Sequence, residues 1–486
     1  MNKELKELHP RRVFKYFEEI SKIPRASGNE ILVSNYLVEF AQKHSLEVIR
    51  DESMNVIIKK PATKGYEKSR AVILQAHMDM VCDKFKNSNH DFSSDPIELK
   101  VDGDFLMADG TTLGADNGIA IAYYLTILSS TDYFHPPLEV LITTGEEDGM
   151  KGSRRVEPCN LTGKLLINMD TWIDNTLIVG CAGAARNKII FPINWEQCGR
   201  GLLSFQIKIS GLMGGHSGTD IQRGRANSNK LMGRLLKGLS EKMNINISKI
   251  SGGSKLNAIA RETEVTVLIE ASKRDVLFKE LDNWNHIFRK ELIYADKDVK
   301  ITAEEIESKT NKMLSKDTTN KLISLIILMP QGIQSIRENL NNQVESSCNI
   351  GIITSNEKEV IISSSVRSTQ KSLKYFILSQ INEMADLVNG KFILENDYPE
   401  WEYNKQSYLT DLCIETYKIM YGRKPKIAIV HSGLECGILG EKLGYMDMIS
   451  FGPKMLDVHT PAERLSISST GKTFQYLIEI LRRIKY

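Results

Sequence analysis

Residues 71–81 read AVILQAHMDMV: an apolar run of strand length that ends on His77, with Asp79 two positions on. A short apolar run without alternation is the pattern of a strand buried on both faces. Two further segments repeat the arrangement. Residues 138–149, LEVLITTGEEDG, place Glu146 and Glu147 just past an apolar run and a single Gly145, and residues 165–172, LLINMDTW, place Asp170 in the same way. Between the first two lies a helical run, Gly118 to Leu128, apolar all round and so deeply buried. Strands alternating with helices predict a largely parallel α/β sheet covered on both faces. The carboxyl ends of parallel strands share one edge, where such sheets bind ligands, so the acids and His77 are expected to converge there.

Around this nucleus the α/β texture extends from the amino terminus, with helical spacing over Val13 to Ile20 and Glu30 to His44 and Ser27 as a cap for the second run. From about Asn187 the texture changes. LLSFQIKI, ETEVTVLIEA, SCNIGIITS and EVIISSSVR are longer alternating strands with helical runs between them, the pattern of a separate α+β domain. After YPEWEY the α/β pattern returns. The reading is one α/β domain in two parts, residues 1–186 and 403–486, interrupted by an inserted α+β domain over 187–402. No tandem repeat is visible.

Composition narrows the function classes. Of 486 residues 41% are apolar and 26% charged, which excludes a disordered or disulfide-framework chain. Lys plus Arg (63) against Asp plus Glu (61) leaves +2, so no basic excess points to nucleic acid. Seven cysteines without paired spacing fit a reducing compartment. The amino-terminal MNKELKELHPRRVFKYFEEI lacks the apolar core of a signal peptide, and the longest apolar run, Leu322 to Met329, is far short of the ~20 residues of a membrane span. A cytoplasmic protein is expected.

Five segments carry the chemistry: QAHMDMV, GADNG, TTGEEDG, NMDTW and DVHTPAERL. Their side chains are His, Asp, Glu, Asp and His, the donors of first-row metals. Asp116, Glu147 and Asp170 bring three negative charges together, with Asp79 and Glu146 beside them. Two divalent cations would balance them and leave room for a bridging hydroxide. Asp116 is the best candidate to bridge ions ~3.5–4 Å apart. Asp79, on the same side of an extended segment as His77, can orient its imidazole. Glu146 is the spare acid, placed as a general base for a water attacking a carbonyl.

In this order HMD, GADNG, GEED, MD and HTPAE resemble the co-catalytic zinc aminopeptidase and dipeptidase superfamily, and within it the aminoacyl-histidine dipeptidases (Xaa-His dipeptidases, carnosinase-like). The resemblance spans the chain and includes GLMGGHSG with GRANSN, SGGSKLNAIARE, VRSTQ and HSGLECG. It implies a three-layer α/β catalytic domain with the inserted domain as a lid. It implies two divalent ions, zinc first and cobalt or manganese as alternatives. One ion falls to His77 and Asp170 and the other to Glu147 and His459, with Asp116 bridging, Asp79 orienting and Glu146 as base. His216 matches the lid histidine that stabilises the oxyanion, and Asn257 and Arg367 match lid residues that hold a substrate backbone or terminal carboxylate. The glycine turn of HSGLECG with Glu435 is read as the binder of the dipeptide's amine.

The expected substrate is therefore a small dipeptide, preferentially Xaa-His, with no nucleic acid or membrane partner and a homodimer left open. Two alternatives remain: a tripeptidase or N-acyl-amino-acid deacylase on the same scaffold, and a silent metal- or peptide-binding homologue. Glycine-rich GLMGGHSG lacks the lysine of a phosphate loop, and His431-Ser432 lacks the G-x-S-x-G of a serine hydrolase. Cys82 is read as a buried small apolar residue, and Trp172 and Tyr398 as core or lid contacts.

Overall fold

A computed structural model describes residues 5–307, 311–338 and 343–485, so the outermost residues of the expected catalytic segments lie outside it. The chain divides into two compact units. One runs to Cys181 and resumes over Trp401–Ile429 and from Leu434; the other holds Ala182–Glu400 and Val430–Gly433. The divide thus falls at Cys181/Ala182 and Glu400/Trp401, and the segment containing His431 belongs to the second unit.

The first unit is built on an eight-stranded sheet in the order Glu47–Arg50, Val56–Lys60, Leu138–Thr143, Val72–His77, Leu165–Asn168, Asp447–Ser450, Thr176–Cys181, Lys426–Val430. The central four strands are mutually parallel, and antiparallel pairs flank them. Every residue of those four strands is buried, which explains their unbroken apolar runs. The helix Ala115–Leu128 is buried along its whole length.

Period-two alternation divides the strands cleanly. Leu74, Ala76, Val140, Ile142, Ile167 and Ile449 enter the main core with the helices Arg11–Ser21, Ile31–Lys43 and Ile467–Arg483. Their neighbours Gln75, Thr143, Asn168 and Ser450 are on the opposite face and form a buried polar rung. Asn168 Nδ2 donates to Gln75 Oε1 (2.6 Å), and Ser450 Oγ donates to Asn168 Oδ1 (2.5 Å). Gln75 Nε2 and Thr143 Oγ1 both donate to Glu435 Oε2, at 2.5 and 2.7 Å. The rung crosses the strands just before they release His77, the GEED turn and Asp170, so it ties together the points from which these side chains spring.

A small sheet of Leu99–Asp102, Phe105–Ala108, Met455–Leu456 and Arg464–Ser466 brings a distant segment to the same edge. His459 and Glu463 sit between its last two strands, and Phe105–Ala108 leads into the turn before Asp116. Ser27 does not cap the second helix. That helix starts after Glu30 without a side-chain cap, and Ser27 Oγ donates to Asp79 Oδ2 instead (2.7 Å).

The second unit is one antiparallel sheet in the order Lys300–Ile306, Leu202–Ser210, Thr263–Glu270, Asn246–Gly252, Gln343–Ser355, Glu359–Ser368, Gly183–Pro192, Lys391–Tyr398, with Gly332–Arg337 paired beside Gln343–Ser355. Its topology holds a repetition that the sequence hides. Leu202–Ser210, the helix Ser228–Ser240, Asn246–Gly252, Thr263–Glu270, the helix Arg274–Glu291 and Lys300–Ile306 form one βαββαβ module. Gly183–Pro192, the helix Lys316–Leu328, Gln343–Ser355, Glu359–Ser368, the helix Lys371–Leu387 and Lys391–Tyr398 form a second. The first module is inserted into the second after its first strand. They meet through Ser251↔Thr354 and Gly252↔Ile353.

The polar rung makes a stability prediction. Gln75→Leu keeps the volume but leaves Asn168 Nδ2 without its acceptor and removes one of two donors to Glu435. Stranding buried polar groups costs about 1–3 kcal/mol each. The unfolding free energy of the transition that reports the first unit is expected to fall by on the order of 2–3 kcal/mol, read as a lower denaturant midpoint with the slope unchanged.

Candidate metal centre

At the carboxyl edge of the first unit's sheet, three overlapping groups of side chains could hold a metal ion, with ligand atoms within 4.8 Å of one another. They are His77 with Asp116 and Asp170, Asp116 with Glu147 and His459, and His77 with Glu146 and Glu147. Asp116 is common to the first two. Its Oδ1 lies 3.2 Å from His77 Nε2 and its Oδ2 lies 3.1 Å from His459 Nε2, so its two oxygens face different histidines. Asp170 Oδ1 is 3.7 Å from His77 Nε2, and Glu147 Oε1 is 2.6 Å from His459 Nε2.

The turns that aim these groups are fastened from behind. Glu463 is buried, and its two oxygens accept from the backbone N–H groups of Leu113, Gly114, Ala115 and, at 3.4 Å, Asp116. This gathers the turn that presents Asp116, whose peptide to Asn117 is cis. Arg25, also buried, donates to the carbonyls of Met78, Asp79 and Gly114. At Gly114, with φ +67°, a Cβ would come within 2.4 Å of the Arg25 guanidinium, so both the turn and the close approach require glycine. His459 itself is held at φ +66°, a left-handed conformation uncommon outside glycine.

Asp79 faces the GEED turn more than the imidazole. Its Oδ1 accepts from Glu146 N (3.0 Å), and its Oδ2 accepts from Glu147 N (3.2 Å) and Ser27. His77 Nδ1 is nearer the backbone carbonyl of Asp79, at 3.1 Å, than its carboxylate, at 3.5 Å. The main chain and the side chain of Asp79 thus both bear on the ring, while the carboxylate fixes the orientation of the two glutamates. Glu435 Oε1, by contrast, is buried with no hydrogen-bond partner among the described residues, its other oxygen being taken by the rung.

The electrostatics fit a cationic occupant. Burial, then Asp116, pushes Asp170 up to about 6 against the pull of His77. Burial raises Glu146 well above the carboxylate range, with Asp170, Glu147 and Glu435 adding to it against His77. Burial, partly offset by His77 and Thr143, pushes Glu435 up to about 7. Burial should lower His459, yet hydrogen bonds to Asp116 and Glu147 outweigh it and carry it up to about 10. His77 is raised for the same reason by Asp116, Asp170 and Asp79. Among the protein's own groups the nearest answer to this negative charge is a proton on either histidine. A pair of divalent ions would answer it fully, with the imidazoles free to act as neutral ligands.

In the second unit His216, Arg367 and His431 converge on Gly218. A Cβ there would lie 3.1 Å from His216 Cε1, 3.2 Å from Arg367 Nε and 2.5 Å from the His431 carbonyl. His216 Nδ1 accepts from the N–H groups of Gly218 (3.2 Å) and Thr219 (3.1 Å), so a neutral ring carries its proton on Nε2. Burial, then Arg367, lowers His216 to about 4, which makes that neutral form the relevant one. Arg367 is buried; one nitrogen donates to Tyr398 Oη (3.1 Å), while its Nε has no hydrogen-bond partner among the described residues. Asn257 is exposed, and its carbonyl accepts from Ser217 N beside His216. Ser347 Oγ and His431 Nε2 lie 2.7 Å apart, and burial, then Arg367, lowers His431 to about 3.

Sequence reasoning missed Glu463 and Arg25. Glu463 left a signal, since it stands four residues past His459 in HTPAE; Arg25 left none. Two minor readings change. Trp172 is 40% exposed rather than a core residue, and its Nε1 donates to Asp116 Oδ2 (3.1 Å). Cys82 is half-buried, and burial pushes its thiol up to about 11 although Arg25 pulls it down.

Comparison with known proteins identifies relatives that span nearly the whole chain. A family model described as "Peptidase dimerisation domain" matches residues 207–295, the heart of the first βαββαβ module. The cytosol non-specific dipeptidase of Escherichia coli (strain K12) is 34% identical over 481 residues, covering 99% of each chain. The crystal structure of the aminoacylhistidine dipeptidase from Vibrio alginolyticus superposes with a TM-score of 0.92 at 34% identity, over 99% of this chain and 98% of that one. A tripeptidase from Staphylococcus aureus shares the fold at a TM-score of 0.56 and 16% identity, over 98% and 99% of the two chains. With a relative this similar along nearly its whole length, the chain belongs to the M20 peptidase family, in the branch that contains those two dipeptidases.

Proposed function

We infer that this protein is a dipeptidase that works with two divalent metal ions. The carrying observation is Asp116, whose two oxygens face different histidines at 3.2 and 3.1 Å while Glu146 stands beside the ligand Glu147. In this reading His77 and Asp170 hold one ion, Glu147 and His459 hold the other, and Asp116 is shared. Nitrogen and carboxylate donors suit zinc, which we take as the working metal, with cobalt and manganese as alternatives. When bound, the ions supply Lewis acidity to the scissile carbonyl and acidify a water.

The chain's own groups do the rest. Glu146 takes a proton from the water as its oxygen bonds to the amide carbon, then passes it to the departing nitrogen as the C–N bond breaks. Glu146 is half-buried, and desolvation first, then Asp170, Glu147 and Glu435, raise it above the usual carboxylate range, which favours its taking that proton. Asp79 holds the backbone of Glu146 and Glu147 and so fixes the base relative to the ligand. In the inserted unit, His216 offers a neutral Nε2–H for a developing oxyanion, Arg367 a free Nε–H for a terminal carboxylate, and Asn257 an amide for the substrate backbone.

The substrate class, a free dipeptide with preference for Xaa-His, is proposed from the name of the Vibrio alginolyticus relative. A cytosolic location follows the name of the Escherichia coli one. Among the described residues no helix is long and apolar enough to cross a membrane. A homodimer is proposed from the match over residues 207–295.

Three measurements test the reading. Glu146→Gln is expected to keep both metal ions while kcat falls by about 10²–10⁴-fold, the usual cost of losing a general base. Near-normal kcat at full metal content would remove Glu146 from the mechanism. Arg367→Ala is expected to impair free dipeptides more than their C-terminal amides, by roughly 2–3 kcal/mol in kcat/KM for a charge-assisted contact. N-acetylated Xaa-His, run beside the free peptide, separates a dipeptidase from a deacylase.

A further inference from the structure

Trp172 touches two of the groups assigned to the metal centre and has no part in the reaction as drawn. It leaves the sheet two residues after Asp170. Its indole Nε1–H donates to Asp116 Oδ2 at 3.1 Å, the same oxygen that faces His459 Nε2. Its ring stands edge-on to the His459 imidazole, with centroids 5.5 Å apart and planes at 74°. The other oxygen of Asp116 faces His77, with which Trp172 makes no hydrogen bond or ring contact among the described residues. At 40% exposure the indole fills no core space, so packing alone does not account for it.

We propose that Trp172 is a positioning residue that strengthens binding of the ion shared by Asp116, Glu147 and His459, and leaves the ion at His77 and Asp170 largely unaffected. The proposal rests on the two-ion reading. A carboxylate oxygen has two lone pairs. An N–H on one of them fixes the carboxylate's rotation and leaves the other directed at the metal. The indole is a neutral donor, so it orients the oxygen without competing for its charge as an arginine would. The ring edge against His459 limits a half-exposed imidazole that would otherwise lose rotational freedom on binding. Partners of this kind, which orient ligands from behind, are typically worth 10–100-fold in metal affinity.

Metal titration of the apoenzyme tests this without relying on activity. Wild type, Trp172→Phe (ring kept, N–H lost) and Trp172→Leu (both lost) are titrated with zinc against a chromophoric chelator, and with cobalt to follow the visible spectrum of each step. Wild type is expected to bind in two steps. Trp172→Phe should weaken one step by about tenfold and shift the other by less than twofold, and Trp172→Leu should weaken the same step further. The indole fluorescence of wild type should change on the affected step, and Trp172→Phe should lose that change. Unchanged affinities in both variants, with or without a lower melting temperature, would overturn the proposal and leave Trp172 a surface residue. Equal weakening of both steps would overturn its selectivity for one ion. A wild type that binds a single ion would overturn the two-ion reading, and this proposal with it.

Discussion

Asp116 is a carboxylate at 4% exposure with two further carboxylates and two imidazoles in ligand range. A buried charge is tolerated only where it is paired or coordinates a metal. Within the protein the hydrogen bonds of His459 and His77 overcome its burial and keep it ionised far below the usual range, while the neighbouring Asp170 and Glu146 are pushed the other way. No side chain in the cluster can be optimised without cost to another. The surrounding architecture is arranged to hold that frustrated set in place.

Three devices do so, and each acts on backbone. Glu463 collects successive N–H groups of the turn before Asp116; Arg25 collects the carbonyls of Met78, Asp79 and Gly114; Asp79 collects the N–H groups of Glu146 and Glu147. Beneath them Gln75, Asn168 and Ser450 pair at one level, and Glu435 joins them to Thr143 one step nearer the edge, so the rung ties the parallel strands together. The positions of these acids and histidines at the ends of strands are therefore set by hydrogen bonds on both sides, not by the strands alone. This is the preorganisation a metal site needs if its ligands are to keep their places.

The inserted unit obeys a different economy. Its two βαββαβ modules are nested, so strands far apart in sequence, such as Gly183–Pro192 and Glu359–Ser368, lie side by side. It positions its polar groups through loops and close backbone approaches. Gly218 is small enough for His216, Arg367 and His431 to meet around it, and the two backbone N–H groups on His216 Nδ1 determine which nitrogen keeps the proton.

Much of the catalytic unit was legible in the residues themselves. A buried parallel strand must be apolar on both faces, so AVILQA and LLIN announce themselves, and a charged residue directly after such a strand must be at the sheet edge. That logic located His77, Glu146, Glu147 and Asp170 at the sheet edge without reference to contacts, charge counting singled out Asp116, and the order of the motifs supplied the role of His459. What the residues could not express was pairing at long range. The bond from Glu435 to Gln75, the reach of Glu463 back to the turn before Asp116, the move of Ser27 from helix cap to partner of Asp79, and the contact of Trp172 with Asp116 join segments that the chain keeps apart. The repeated modules escaped notice because topology, unlike local hydrophobic periodicity, leaves no mark in any single stretch of sequence. Local pattern decided which residues lie at the edge of the sheet. Only the tertiary structure decided which of them meet, because that depends on how strands distant in the chain are laid side by side.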